Sequence, residues 1–359
     1  VAPDDDDAIG QVCAIFEKMN STGVKLSVYD LLTARMYRYR IDMHEMWQDT
    51  MGQYGLLNQY SGGDPNSYGV MILRTISLLR SQDVKSKTLI NLKSGNFEED
   101  WETACYYIDQ ALKRISSTNQ DGFGVFDQKW LPYSTMIAPM AAMLAYIEQY
   151  RPGHSAYRWL RRWYWSSVFQ ERYSSSVESR TYRDYQDFVS VASGEDRVPE
   201  AVLDAQASIV ENPGFSLREI SRANAVYSGI MCLIAKAGAK DFRADDSIEF
   251  HTLDDHHIFP QAYLRGQQRA DGSKYTASDI NTIVNRTLIA STTNRSISRS
   301  SPSQYLARLV PPERLREIMA SHFIDDSAVE AMRRDDYERF LASREQALLN
   351  DIRRQLTGE

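Results

Sequence analysis

The residues most able to do chemistry in this sequence are histidines. Three of the six histidines fall within seven residues, at His251, His256 and His257. Because His256 and His257 are adjacent, their side chains point to opposite faces if the segment is a strand. One imidazole can then bind a metal ion while the other takes a proton from water. This division suits phosphodiester hydrolysis, in which a divalent cation stabilises the scissile phosphate and the leaving oxygen.

A segment downstream supplies polar residues that could complete such a site. The run from Val284 to Ile289 has the composition of a short strand, and the Ser/Thr-rich segment after it predicts a helix. Asn294 then lies near the N-terminal end of that helix, with an amide oxygen available to a hard cation. Ser291 and Thr292 are candidate N-caps. Strand, loop, strand and helix in this order predict a ββα-metal finger.

The spacing of these residues resembles the HNH nuclease motif. The string from His256 to Pro260 is followed by Asn285 and, nine residues later, by Asn294. This pattern is most similar to the HNH half of modification-dependent restriction proteins of the GmrSD type and of the related phosphorothioate-sensing SspE proteins. Residues 16–27 resemble the N-terminal half of the same family, just after its ParB-like nucleotide-binding region.

The resemblance implies a role for each matching residue. His257 aligns with the general base and is grouped with Asn285 in the catalytic set. Asn285 stands at the position that usually bonds the backbone across the finger loop. His256 and Asn294 align with metal ligands, and the implied cofactor is Mg2+ or Mn2+.

Other residues near the motif keep two interpretations. Asp254 and Asp255 either support the metal ligands or are solvated loop acids. His251 has either a structural role or a role in the site. The remaining histidines are expected to be ordinary core or surface side chains: His44, His154 and His322.

Charge restricts how the chain could meet nucleic acid. With 41 basic and 48 acidic residues the net charge is −7, which argues against a broadly basic surface. Residues 261–310 nevertheless hold seven basic and two acidic residues. Arg286, Arg295 and Arg299 flank the predicted site and are candidate DNA-phosphate contacts, with ion pairs to acidic residues as the alternative. Arginines and aromatics at 158–173 either stack on nucleic acid or form core.

The rest of the chain has helical periodicity. Ser27 and Asp30 predict a capping box, whereas the Gly- and Asn-rich residues 50–66 predict a loop. The predicted fold is mainly α, with a helical body (1–240), an inserted finger (241–310) and C-terminal helices (311–359) that pack on the body. Helices are predicted at about 8–19, 68–81, 98–116, 134–150, 155–170, 181–192, 198–211, 216–237, 302–321 and 328–356.

Several classes are excluded by composition and motifs. No apolar stretch of membrane-spanning length is present, and three distant cysteines without a CxxC pair exclude a Cys-rich zinc site and favour the cytoplasm. The start lacks an initiator Met, so we expect a piece of a longer protein. Neither a P-loop nor the family's DGQQR-like motif occurs, so if the full protein hydrolyses a nucleotide, the domain that does so is expected as a partner that precedes Val1.

The sequence therefore favours a metal-dependent endonuclease that hydrolyses DNA phosphodiester bonds, in defence against foreign or modified DNA. One alternative is a non-catalytic module that binds nucleic acid. A second is an RNase that uses the same finger, since the chemistry attacks a phosphodiester in both polymers.

Overall fold

The computed structural model describes residues 26–220, 222, 224–243 and 253–358. The chain is mainly helical, as predicted, with a small two-stranded sheet. The predicted helix at 8–19, residues 16–25 of the N-terminal resemblance and His251 lie outside the described residues. No helix in the described ranges is long and apolar enough to cross a membrane.

Eleven α-helices of the described residues precede the sheet. Their bounds are α1 (Val28–Tyr37), α2 (Met43–Gln53), α3 (Gly55–Ser61), α4 (Pro65–Leu79), α5 (Ser86–Ile90), α6 (Phe97–Ser116), α7 (Ile137–Tyr150), α8 (His154–Phe169), α9 (Val177–Ala192), α10 (Glu200–Ala205) and α11 (Ala225–Lys236).

The sheet and the helices around it make up the rest of the described chain. Their bounds are β1 (Leu253–His257), α12 (Gln261–Leu264), α13 (Ala277–Asn281), β2 (Arg286–Ala290), α14 (Ser291–Ile297), α15 (Pro302–Leu309), α16 (Leu315–Ala320), α17 (Asp326–Arg333) and α18 (Tyr337–Thr357).

The described residues form two compact units. The first holds those up to Lys113 together with Ser134–Leu160 and Tyr173–Pro199. In this unit α7 packs against both α4 and α9, and α1 packs against α4. Gly69 of α4 permits the last contact, because a Cβ there would lie 2.5 Å from Cδ2 of Tyr29. The predicted capping box opens α1: Ser27 Oγ accepts from the Asp30 N–H, and the Asp30 carboxylate accepts from the Ser27 N–H.

The second unit holds Arg114–Tyr133, Arg161–Arg172 and the described residues from Glu200 onward. It therefore contains the sheet, α11 and the C-terminal helices together. β1 and β2 are antiparallel, with His256 opposite Thr287 and His257 opposite Arg286. α11 packs against β2, and α14 packs against both strands. The predicted strand over Val284–Ile289 thus begins two residues later, after a single 3₁₀ turn.

Several predictions of local structure were wrong. Residues 50–66 are mostly helical, in α2 and α3, and Asp64 then caps α4, whose first residue is Pro65. The segment 302–321 is two helices rather than one. The pattern at 328–356 is also broken, because Asp335 has a positive φ of 56° and Asp336 caps a new helix, α18.

A buried guanidinium joins α18 to the sheet. Arg344 has no exposed surface, and it donates to the carbonyl oxygens of Val284 (2.6 Å), Arg286 (2.7 Å) and His322 (3.1 Å). Burial lowers the pKa of Arg344 to about 9, so the side chain stays charged at neutral pH. These carbonyls lie at the start of β2 and beside it, so α18 fixes where that strand begins.

Replacing this guanidinium is expected to weaken the second unit. Arg344→Met should lower the free energy of unfolding by about 3 kcal/mol, because three buried carbonyls lose a charged donor. Urea titration followed by circular dichroism measures the change. Arg339→Met, an exposed site on the same helix, is the control and should change stability by less than about 0.5 kcal/mol. Equal effects of the two variants would contradict this role.

Candidate functional site

Asn285 joins the two ends of the loop between β1 and β2 through hydrogen bonds. Its side chain has no exposed surface; Oδ1 accepts from the Phe259 N–H (2.8 Å), and Nδ2 donates to the carbonyls of Phe259 (3.1 Å) and Ile280 (3.0 Å). The Asn285 carbonyl also accepts from the Ile258 N–H at 2.9 Å. Because the amide is fully used by the backbone, Asn285 is a positioning residue. It holds the chain after His257 against the chain before β2.

His257 is oriented by a second asparagine. Its Nε2 lies 2.9 Å from Asn281 Oδ1, which also accepts from Arg286 Nη2 at 3.0 Å. The Asn281 Nδ2 donates to the Ala277 carbonyl at 2.8 Å. A guanidinium only donates and a carbonyl only accepts, so these contacts fix which end of the Asn281 amide faces His257. Nε2 must carry the imidazole proton, and Nδ1 keeps the lone pair.

The charge state of His257 follows from its surroundings. Burial and the positive charge of Arg286 lower the pKa of His257 to about 4, although the hydrogen bond with Asn281 opposes the shift. The imidazole is therefore neutral at pH 7. A neutral ring with a lone pair on Nδ1 can accept a proton from water.

Asp255 holds β1 to its neighbours through a buried carboxylate. The carboxylate accepts from the Tyr227 hydroxyl of α11 (2.5 Å), from Arg222 and from Arg286 Nη1 (3.3 Å). Its side chain has no exposed surface, so it is not a solvated loop acid. Asp254, in contrast, is partly exposed and lies 3.4 Å from Lys129 Nζ. Asp255 thus positions Arg286, the residue that also holds Asn281.

Two potential metal ligands lack protein partners. His256 Nε2 is buried and has no hydrogen-bond partner, and burial lowers the pKa of His256. Asn294 is the fourth residue of α14 and half-buried, and its amide makes no hydrogen bond to a described residue. Within the described ranges no group of three or more His, Cys, Asp or Glu side chains could hold a metal ion. Of the predicted ligands, His256 thus offers an imidazole nitrogen and Asn294 an amide oxygen.

The start of α14 is held in a way that the sequence did not predict. Ala290, rather than Ser291 or Thr292, is the N-cap residue, and it makes no side-chain capping bond. Instead the carboxylate of Asp241 accepts from the Ala290 N–H (3.0 Å) and from the Thr293 hydroxyl. The predicted caps were wrong because a distant acid replaces them. Asp241 thereby fixes the helix that carries Asn294.

The three arginines predicted to bind DNA differ in their surroundings. Arg286 is largely buried and bonded to Asp255 and Asn281, so its guanidinium is already used within the protein. Arg295 and Arg299 are exposed and have no ion-pair partner among the described residues. The aromatic cluster at 158–173 is core: Trp163 and Trp165 are at most 2% exposed, so stacking of these rings on nucleic acid is excluded.

Sequence reasoning missed Asn281, Asp241 and Tyr227. Asn281 lies four residues before Asn285, and this spacing is a signal that could have suggested a paired role. Asp241 and Tyr227 carried no local signal. They reach the site across 52 and 28 residues of chain, so only the fold brings them there.

Comparison with known proteins identifies one archaeal relative of unknown activity. No known family matches the chain. Uncharacterized protein MJ0686 of Methanocaldococcus jannaschii is 29% identical to it over 370 residues. The match covers 95% of this chain and 61% of the relative, so the chain spans about three fifths of that protein's length.

The tautomer of His257 is directly measurable. In the wild type we expect the ¹⁵N shifts of the ring to report a protonated Nε2 and an unprotonated Nδ1 at pH 7. In Asn281→Ala the acceptor is absent, so both tautomers should be populated. Asn58→Ala, at an exposed site in the first unit, is the control and should leave the shifts unchanged. A protonated Nδ1 in the wild type would contradict the deduced orientation.

Proposed function

We propose that this protein is a divalent-metal-dependent endonuclease of the HNH type that hydrolyses DNA phosphodiester bonds. The observation that supports the proposal most directly is a pair of adjacent histidines on β1 whose imidazoles have different surroundings. His257 is neutral and oriented, with Nδ1 unused, whereas His256 has a buried nitrogen without a partner. The antiparallel pair of β1 and β2, followed at once by α14, supports the proposal.

The donors present fit a cation that keeps part of its water shell. His256 Nε2 and the Asn294 amide oxygen would hold Mg2+ or Mn2+, and water and substrate phosphate would supply the other ligands. A buried nitrogen with no partner costs about 1–3 kcal/mol, and a ligand that binds it recovers this cost. When bound, the cation would neutralise charge on the phosphate and on the departing oxygen.

The remaining residues prepare the attacking water. His257 Nδ1 would take the proton of that water while Asn281 stabilises the proton already on Nε2. Asn285 would keep the loop after His257 in place without touching the substrate. Arg295 and Arg299, exposed beside the site, would contact phosphates of the DNA backbone, whereas Arg286 would act through His257.

Two observations separate this function from that of a module that only binds nucleic acid. A module that only binds nucleic acid has no need of a desolvated, unpartnered His256 nitrogen, because that atom costs stability. The net charge of −7 also gives weak general affinity for a polyanion. RNA hydrolysis would use the same residues, so an experiment must decide between DNA and RNA as the substrate. Defence against foreign or modified DNA is the setting in which the resembling proteins act.

Cleavage of supercoiled plasmid tests the proposal. Wild-type protein in Mg2+ or Mn2+ should nick the plasmid, and EDTA should stop the reaction. His257→Ala should lower the rate by about 1,000-fold, the loss expected on removal of a general base. His154→Ala, an exposed histidine in the first unit, is the matched control and should cleave like the wild type.

A parallel reaction with single-stranded RNA identifies the polymer. DNA cleavage that persists in His257→Ala would contradict the assigned base. Cleavage of RNA alone would establish the RNase alternative, and binding without cleavage in either metal would establish the non-catalytic one.

A further inference from the structure

A cleft lined by tyrosines lies within the first unit and has no part in the proposed nuclease chemistry. Its volume is about 410 Å³, and the final turns of α4 and α7 form it together with α9. Most of its lining comes from aromatic and amide side chains: Tyr146, Gln149, Tyr150, Tyr182, Tyr185 and Gln186. None of the residues that line it is charged.

Helical spacing places these side chains on two facing surfaces. On α7, Tyr146 and Tyr150 are one turn apart, with ring centroids separated by 4.5 Å. On α9, Tyr182 and Gln186 are also one turn apart, and Tyr185 stands beside them. Because α7 and α9 pack together below these residues, the cleft is a fixed feature of the unit rather than a gap between mobile loops.

The cleft has hydrogen-bonding capacity that the protein does not use. Among the described residues, none of the four tyrosine hydroxyls and neither glutamine amide has a hydrogen-bond partner. Burial raises the pKa of Tyr185 to about 12, so its hydroxyl remains a donor at neutral pH. Ring faces together with free amides and hydroxyls, and no charge, suit a neutral planar ligand with donors and acceptors on its edge.

We infer that this cleft binds a single nucleobase that has left its stack. The ring would lie against the exposed face of Tyr150 or Tyr182, as unstacked bases lie on aromatic side chains elsewhere. The amides of Gln149 and Gln186 would bond the edge of the base, since glutamine offers a donor and an acceptor side by side. The choice of a base over a sugar rests on the proposed function, which makes DNA the substrate.

Fluorescence of 2-aminopurine tests this inference without cleavage. A short single-stranded oligonucleotide carrying one 2-aminopurine is titrated with the full chain in EDTA, and stacking on a tyrosine should quench the fluorescence to saturation. Tyr150→Ala should weaken binding at least about fivefold, the loss produced by removing one stacking ring. Tyr150 is 60% exposed, so its removal leaves the fold intact. Gln186→Ala, also exposed, provides a second variant.

Two controls make the outcomes distinct. Tyr37→Ala removes a tyrosine of the same unit that is 71% exposed outside the cleft, and it should bind like the wild type. An oligonucleotide of the same length in which every base is absent should fail to compete. Absence of saturable quenching, equal binding by Tyr150→Ala and the wild type, or competition by methyl glucoside instead of the base would overturn the inference.

The result is independent of the nuclease assay. Binding is measured in EDTA, where the proposed nuclease is inactive. Metal-dependent cleavage without base binding would remove this inference and leave the proposed function standing. Base binding without cleavage would remove the proposed function and leave the inference that the cleft binds a base.

Discussion

A buried carboxylate determines the arrangement of the candidate site. Asp255 has no exposed surface, and a charge in that position destabilises the fold unless every oxygen is bonded to a donor. Tyr227, Arg222 and Arg286 supply those donors from α11, from the segment before it and from β2. These hydrogen bonds fix β1 relative to α11 and β2. They therefore also fix the position of His257, which lies two residues after Asp255 on the same strand.

The effect of this carboxylate extends to the imidazole through two further contacts. Arg286, held by Asp255, donates to the Asn281 oxygen, and that oxygen in turn fixes the proton of His257 on Nε2. Arginine only donates, whereas a carboxylate or amide oxygen only accepts, so the His257 ring, which could do either, must donate to the Asn281 oxygen. The proposed general base would need a fixed lone pair, and these contacts leave one on Nδ1 of His257.

The sequence indicated the candidate residues of the site but not the contacts that support them. His256, His257, Asn285 and Asn294 were found because short-range spacing carries them, and sustained periodicity found helices such as α6 within one residue of the predicted start. Asn281, Asp241 and Tyr227 act through tertiary contacts, for which periodicity has no signal. The break before α18 was missed because the apolar spacing continues across it, whereas the break before α16 contains Pro311 and Pro312, a signal that the prediction did not use. A single aspartate cap at Asp336 ends that continuity without changing the pattern.

Binding of Mn2+ tests the claim on which the account depends, that β1 and α14 together hold one catalytic cation. Electron paramagnetic resonance of free Mn2+ gives the stoichiometry and affinity for the wild type, His256→Ala and Asn294→Ala, with His154→Ala as the control. We expect one Mn2+ site per chain, with an affinity that either ligand substitution lowers at least about tenfold and that the control leaves unchanged. An unchanged affinity for Mn2+ in His256→Ala would contradict a cation site shared by β1 and α14.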